Sequence, residues 1–333
     1  MKKKIVLYNT EGQGTDIEQA YLERRGLSDK YEIVRIDGAC DERFFEEARD
    51  AEGVSIVYLD VTDDVFERLP ACKILTIMSI GTNNIDMKSA TKHGICVGNV
   101  PDYCLEEVAV HTIALVLDCQ RKITQLDRTV RKGEWDIYAC GRMERISGMT
   151  YGLAAFGNIP QKIVKLMKPF GVNFVAYDPF VADEVFEQAG VQKVNTLEEL
   201  FRISDIVSVH TPLLPATYHM IGKEELSHAK PGQVIVCTGR GGVVDEVALK
   251  EALESGLIRA AGIDVIEDES QASSVLKGMD QVVMTPHAAY YSEGSIVEDR
   301  EKSLMQIIEV LEEGKYPTYL CNKDVIGNAR FLK

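Results

Sequence analysis

Short apolar runs alternate with polar, helix-forming stretches along nearly the whole chain, and this rhythm constrains the fold more than any single residue does. "KIVLY" (4–8) is followed by a helical "DIEQAYLERRG" (16–26) that stops at a glycine. "YEIVRI" (31–36), "VSIVYL" (54–59), "KILTIM" (73–78) and "GICVGNV" (94–100) continue the series. Such runs are what a parallel sheet covered by helices on both faces buries. The longest helical pattern is "LEEVAVHTIALVLDCQRKI" (105–123), with Val108, Ala109, Thr112, Ile113, Val116 and Leu117 on one wide apolar stripe. An irregular stretch (131–150) leads into a second series: "YGLAAF", "GVNFVAYDP", "DIVSVHTP", "GQVIVCTG", "IRAAGIDV" and "QVVMTP". Two consecutive βαβ series predict an α/β protein of two doubly wound parallel-sheet domains, and 333 residues are too many for one ordinary core. A last helix around "VEDREKSLMQIIEVLEEG" could join either domain.

Composition narrows the partners. The apolar share of 45% and charged share of 27% are those of a soluble globular protein. A formal charge of −15 repels nucleic acid and anionic lipid, so neither is an expected partner. The apolar run Ile5–Tyr8 is too short for a signal peptide, and no run of about 18 apolar residues exists to span a membrane. Eight cysteines without C-x-x-C or histidine pairing suit a reduced, cytoplasmic protein better than disulfides or a metal site.

At the first strand-to-helix turn of the second series stands "LAAFGNIPQ" (153–161). A dinucleotide-binding turn of the type G-x-G-x-x-G would lie here, yet only the middle glycine, Gly157, is present; Ala155 and Pro160 replace the others. Gly157 keeps a close backbone approach open, and Asn158 and Ile159 can offer N–H groups to a pyrophosphate. Proline suits a first helical turn, although it disfavours helical angles at Ile159 and so predicts a helix starting a residue late. Ala155 brings strain only if its position needs a positive φ. Asp178 lies 21 positions after Gly157, at the end of the next strand, where an acid grips the adenosine ribose. No Lys or Arg occurs from 169 to 192, which favours NAD over NADP.

Further along, "TGRGGVVDEVAL" (238–249), "GIDVIEDE" (262–269) and "TPHAAYY" (285–291) resemble three signatures of the D-isomer-specific 2-hydroxyacid dehydrogenases. "IGTNNIDM" (80–87) and "NVPDYCLEEVAVHT" (99–112) also match, closest to the D-lactate dehydrogenase and C-terminal-binding-protein branches. The resemblance implies a Rossmann cofactor domain over 103–298, inserted into a flavodoxin-like substrate domain built from 1–102 and 299–333. It implies reversible, NAD-dependent reduction of a small 2-keto acid by a homodimer whose interface involves the 105–123 region. It also implies the roles of single residues. Arg240 grips the substrate carboxylate together with the backbone of Ser79, Ile80 and Gly81; alone, it reads as easily as a surface arginine. His287 is the acid/base and Glu269 its partner, since a carboxylate beside an imidazole favours the protonated ring. Asp264 lies near the nicotinamide, and His210, Thr211, Pro212, Thr217, Thr238 and Gly239 line the cofactor. Tyr103, Tyr290 and Tyr291 hint at an aromatic-lined substrate pocket. His93, His111, His219 and His228 fit no such pattern and read as structural. The competing reading is a non-enzymatic, dinucleotide-sensing scaffold of the corepressor type.

Overall fold

The computed structural model describes residues 2–10, 12 and 14–332. The chain forms two compact units: one runs up to Tyr103 and resumes at Ser292, the other is Cys104–Tyr291.

The first unit opens with β1 (Lys3–Tyr8), α1 (Asp16–Arg24), β2 (Tyr31–Ile36), α2 (Glu42–Ala48), β3 (Ala51–Ile56), α3 (Asp63–Glu67), β4 (Ile74–Ile77), α4 (Met87–Lys92) and β5 (Cys96–Gly98). The second unit then supplies α5 (Leu105–Arg121), α6 (Ile123–Arg131), β6 (Thr150–Ala154), α7 (Asn158–Met167), β7 (Asn173–Tyr177), α8 (Asp183–Ala189), β8 (Gln192–Lys193) and α9 (Leu197–Ile203). It finishes with β9 (Ile206–Val209), α10 (Lys223–Ser227), β10 (Gln233–Cys237), α11 (Glu246–Glu254), β11 (Ile258–Ile263) and β12 (Val282–Met284), after which α12 (Glu293–Leu311) returns the chain to the first unit. Helix starts are marked in the sequence: Asp41, Asp86, Thr196, Asp245 and Ser292 each accept a first-turn backbone N–H through their side chains.

All pairings between these strands are parallel. The first sheet has the order β2-β1-β3-β4-β5, the flavodoxin-like order. The second has the order β12-β11-β10-β9-β6-β7-β8, the Rossmann order, in which strand order reverses between β6 and β9. Alternate residues serve opposite faces: Val6 and Tyr8 enter one core layer and Ile5 and Leu7 the other. In β10, Ile235 and Cys237 likewise point one way and Val234 and Val236 the other. Sheets buried on both faces explain why the strands read as continuous apolar runs.

Several local expectations are corrected. The longest helix is α12 with 19 residues, whereas α5 has 17 and ends at Lys122, whose φ of +53° is left-handed. Helix α6 follows at once, with no buried residue to mark it in the sequence. Strand β3 covers Ala51–Ile56 rather than 54–59, because these residues pair with β1. The second boundary between units falls at 291/292, not 298/299. Position 298 lies inside α12, and a continuous helix moves whole. Arg300 on that helix donates to both carboxylate oxygens of Glu18 on α1, at 2.7 and 2.6 Å, in a fully buried pair.

Candidate active site

In a parallel sheet every strand-to-helix loop leaves at the same edge, so residues distant in sequence gather at the carboxyl ends of neighbouring strands. In the second unit the turn 155–157 follows β6, Asp178 follows β7, His210–Pro212 follow β9, Thr238–Arg240 follow β10, Asp264 follows β11 and Thr285–His287 follow β12.

The turn after β6 answers the question its missing glycines pose. Ala155 adopts φ +85°, so the position does need a left-handed conformation and the alanine is strained. Its N–H is held by Tyr177 O at 2.9 Å, and the next N–H, of Phe156, by Asp178 Oδ2 at 2.9 Å. Gly157 caps α7 with φ −75° and ψ −159°, and a Cβ there would meet no protein atom within 4 Å. Neither its backbone angles nor its protein neighbours therefore require glycine, and the space in front of it is open. Helix α7 starts at Asn158 with Ile159 helical, so the delayed start expected from Pro160 does not occur. Pro160 is buried in the first turn, where a missing N–H breaks no helical bond.

Asp178 has more to do than sequence reasoning assigned. Besides the Phe156 N–H, its carboxylate accepts from Phe180 N at 2.9 Å and Val181 N at 3.3 Å, tying the turn after β6 to the loop after β7. One cation absent from the sequence reading reaches this loop: Lys193 donates to Asp183 at 2.6 Å and to Val181 O at 3.0 Å. After β9, His210 accepts or donates a 2.8 Å bond with Ser208 Oγ, and burial pushes its pKa down to about 3, leaving the ring neutral. Thr211 Oγ1 reaches Ala154 O at 3.4 Å, and Thr217 Oγ1 donates to Pro212 O at 2.6 Å, which closes the 212–217 loop on itself. Gly239 lies so close beneath these residues that a Cβ would stand 3.0 Å from Thr211 O.

Thr238 is buried and shares a 2.8 Å bond with Thr112 Oγ1 on α5. Arg240 is half-buried and donates to Gly239 O at 2.9 Å; it makes no ion pair with a carboxylate among the described residues. Its charge is thus available to an anionic ligand. The turn bearing it is packed against the 265–267 segment, since a Cβ on Gly241 would lie 1.8 Å from Ile266 O.

Glu269 and His287 meet: Glu269 Oε2 lies 3.0 Å from His287 Nδ1. That bond leaves Nε2 as the ring atom for proton exchange. His287 itself has φ +52°, with its N–H bonded to Asp264 O at 2.8 Å and Thr285 O at 3.1 Å. Tyr290 stands edge-on to the imidazole at 6.1 Å. The Asp264 side chain is fully buried. Burial alone would push its carboxyl pKa up, but bonds from His111, Thr285, Ala288 N–H and Ala289 N–H outweigh it and hold the carboxyl below its usual range.

Ser79, Ile80, Gly81 and Tyr103 belong to the first unit. There Ser79 N–H bonds Ile77 O, Gly81 N–H bonds Ser79 Oγ at 3.1 Å, and Asn99 holds Ile80 O at 2.7 Å, so the loop is internally braced. Tyr103 is buried. The same unit brings Asp63, Glu67 and His93 within reach of one another, but Lys92 already donates to Asp63 at 2.8 Å.

Residues 113–289 match the family model of the D-isomer specific 2-hydroxyacid dehydrogenase, NAD binding domain. The chain belongs to the D-isomer specific 2-hydroxyacid dehydrogenase family. The matched NAD-binding domain lies within the second unit. D-3-phosphoglycerate dehydrogenase of Methanocaldococcus jannaschii is 34% identical over 320 residues, covering 91% of this chain. The chain spans 61% of that relative's length. Glyoxylate reductase of Korarchaeum cryptofilum is 34% identical over 319 residues, covering 92% of this chain and 95% of the reductase. Among solved structures, D-lactate dehydrogenase with NAD+ from Lactobacillus jensenii superposes with a TM-score of 0.82 at 27% identity, covering 96% of this chain and 99% of that one. No described helix is long and apolar enough to cross a membrane.

Proposed function

We propose that this chain is a cytoplasmic, homodimeric, NAD-dependent D-2-hydroxyacid dehydrogenase that interconverts a small 2-keto acid and its 2-hydroxy acid, with His287 as the acid/base. The observation that carries the reading is the Glu269–His287 contact at 3.0 Å on the same sheet edge as Arg240, which no carboxylate of the described residues neutralises. Bound NADH would supply the hydride. Gly157, Asn158 and Ile159 would hold its pyrophosphate and Asp178 its adenosine ribose, with His210, Thr211, Pro212, Thr217, Thr238, Gly239 and Asp264 lining the remainder. Arg240 grips the substrate carboxylate and stabilises charge developing on the neighbouring carbonyl oxygen. His287 donates a proton to that oxygen from Nε2, while Glu269 holds Nδ1 and so fixes the tautomer and the ring's orientation. Ser79, Ile80 and Gly81 as carboxylate-binding backbone, and Tyr103 and Tyr290 as pocket walls, belong to the same proposal.

The relatives' names guide the choice of substrates: glyoxylate first, then pyruvate, both reduced with NADH, and D-3-phosphoglycerate, a 2-hydroxy acid, oxidised with NAD+. The homodimer is supported by apolar surface from α5 to the segment after α6, where Val110, Ile123, Val130, Trp135, Ile137 and Tyr138 are all exposed and Trp135 is 90% so. Light scattering is expected to find twice the chain mass.

The deciding experiment is NADH oxidation by purified protein across a panel of 2-keto acids, alongside His287→Ala. The variant is expected to bind NADH and to lose about two to four orders of magnitude in kcat. Retention of more than a tenth of wild-type turnover would remove His287 from the mechanism. NADH binding without turnover on any 2-keto acid would favour the sensing scaffold.

A further inference from the structure

We propose that His111 is a positioning residue for His287, acting through Thr285 and Asp264; the proposal rests on the reading of His287 as acid/base. His111 lies on α5, far in sequence from the catalytic loop, yet its Nε2 is 3.0 Å from Thr285 Oγ1. Thr285 Oγ1 in turn donates to Asp264 Oδ1 at 2.5 Å. A hydroxyl has one proton, and that proton is committed to the carboxylate, so Nε2 must carry the hydrogen and donate to Oγ1. The donors of this relay therefore run in one direction, from His111 to Thr285 and from Thr285 to Asp264, and His111 Nε2 also stands 3.5 Å from Asp264 Oδ1 itself.

Asp264 is the hub on which the catalytic loop is built. Its Oδ1 accepts from Ala288 N at 2.9 Å, its Oδ2 from Ala289 N at 3.0 Å, and its main-chain oxygen from His287 N at 2.8 Å. These bonds enclose His287 in a left-handed conformation, φ +52°, that a histidine keeps only where its surroundings over-determine it. The Asp264 side chain is fully buried, so water cannot easily replace a lost donor, and a rotated Thr285 hydroxyl would unbalance the whole turn. The His111 side chain is itself 25% exposed, so replacing it does not open a core cavity. A histidine that merely packs on its helix would not need a donor at Nε2. A histidine that drives the relay would.

The test compares His111→Leu, which keeps bulk but lacks a donor, with His111→Gln, whose amide nitrogen can stand near the position of Nε2. Thr285→Val removes the bridging hydroxyl, and with it the stronger of the two links to Asp264, without touching the helix. We expect His111→Leu and Thr285→Val each to lower kcat by about tenfold, since small misplacement of a reacting group is enough for that, with the KM for NADH little changed. His111→Gln should restore kcat to within about threefold of wild type. In a His287→Ala background His111→Leu should have no further effect on the residual rate. Wild-type kcat in His111→Leu, or equal losses in the Leu and Gln variants, would overturn the positioning role, as would an undiminished His111→Leu effect without His287. If His287→Ala itself keeps more than a tenth of wild-type turnover, the acid/base reading fails and this proposal falls with it. An inactive His287→Ala beside a fully active His111→Leu overturns the positioning role alone.

Discussion

Replacing Gly157 by alanine separates what the fold needs from what a cofactor needs. The residue has φ −75° and ψ −159°, angles open to any amino acid, and its added Cβ would find no protein atom within 4 Å. Loss of chain freedom in the unfolded state would stabilise the variant by about 0.4–1 kcal/mol. Alanine is a poorer helix N-cap than glycine, by a similar amount, so the net change in unfolding free energy should stay within about 0.5 kcal/mol. The ligand side is not balanced in this way. A methyl group in that open space keeps a pyrophosphate from the first-turn N–H groups of α7, and each charge-assisted bond lost is worth about 1.5–3 kcal/mol. One or two such bonds, roughly 2–4 kcal/mol, weaken NADH binding by roughly 30- to 1,000-fold. Calorimetric titration with NADH and urea unfolding, run on the same preparations, read the two quantities apart. Unchanged NADH affinity would mean that no phosphate approaches Gly157. A loss of more than about 1 kcal/mol in stability would mean that the glycine serves the fold after all.

Ala155→Gly should act in the opposite sense: relief of the strain at φ +85°, less the entropy a glycine adds to the unfolded chain, predicts a gain of about 0.5–1 kcal/mol in urea unfolding, and a destabilised variant would contradict it. Gly241→Ala cannot be accommodated without moving the 265–267 segment, because its Cβ would stand 1.8 Å from Ile266 O; a loss of about 2–4 kcal/mol is expected, and wild-type stability would refute the contact. His210 titrates near 6.5 when unfolded but near 3 when folded, so between these values the unfolded chain binds the extra proton and stability is lost as pH falls. The loss approaches about 1.4 kcal/mol per pH unit at most, and His210→Asn should flatten this part of the stability curve; equal slopes would exclude His210 as the source. NADH should be preferred over NADPH by at least about tenfold in kcat/KM, or about 1.4 kcal/mol, because Asp178 repels a 2′-phosphate and the nearby Lys193 is already bonded to Asp183. Equal efficiency with both cofactors would show that Asp178 does not face the ribose.

The sequence by itself determined the class of fold. Runs such as Val234–Cys237 and Ile206–Val209 are apolar on both faces, and burial on both faces is a local property that any strand of a doubly wound sheet records in its own residues. The helix caps Asp41, Asp86 and Asp245 are local too, since each acts within three residues of itself. Helix α6 and the two-residue β8 were not legible, because one buries nothing and the other is too short to show a period. The strain at Ala155 was conditional in the sequence and became definite only with a backbone angle. Asp178 braces the turn before it, Lys193 reaches the loop after β7, and His111 meets Thr285 across 174 positions of chain. Contacts of that kind have no period and no fixed spacing. They exist because parallel strands deliver all their loops to one edge, and only the folded sheet decides which side chains become neighbours there.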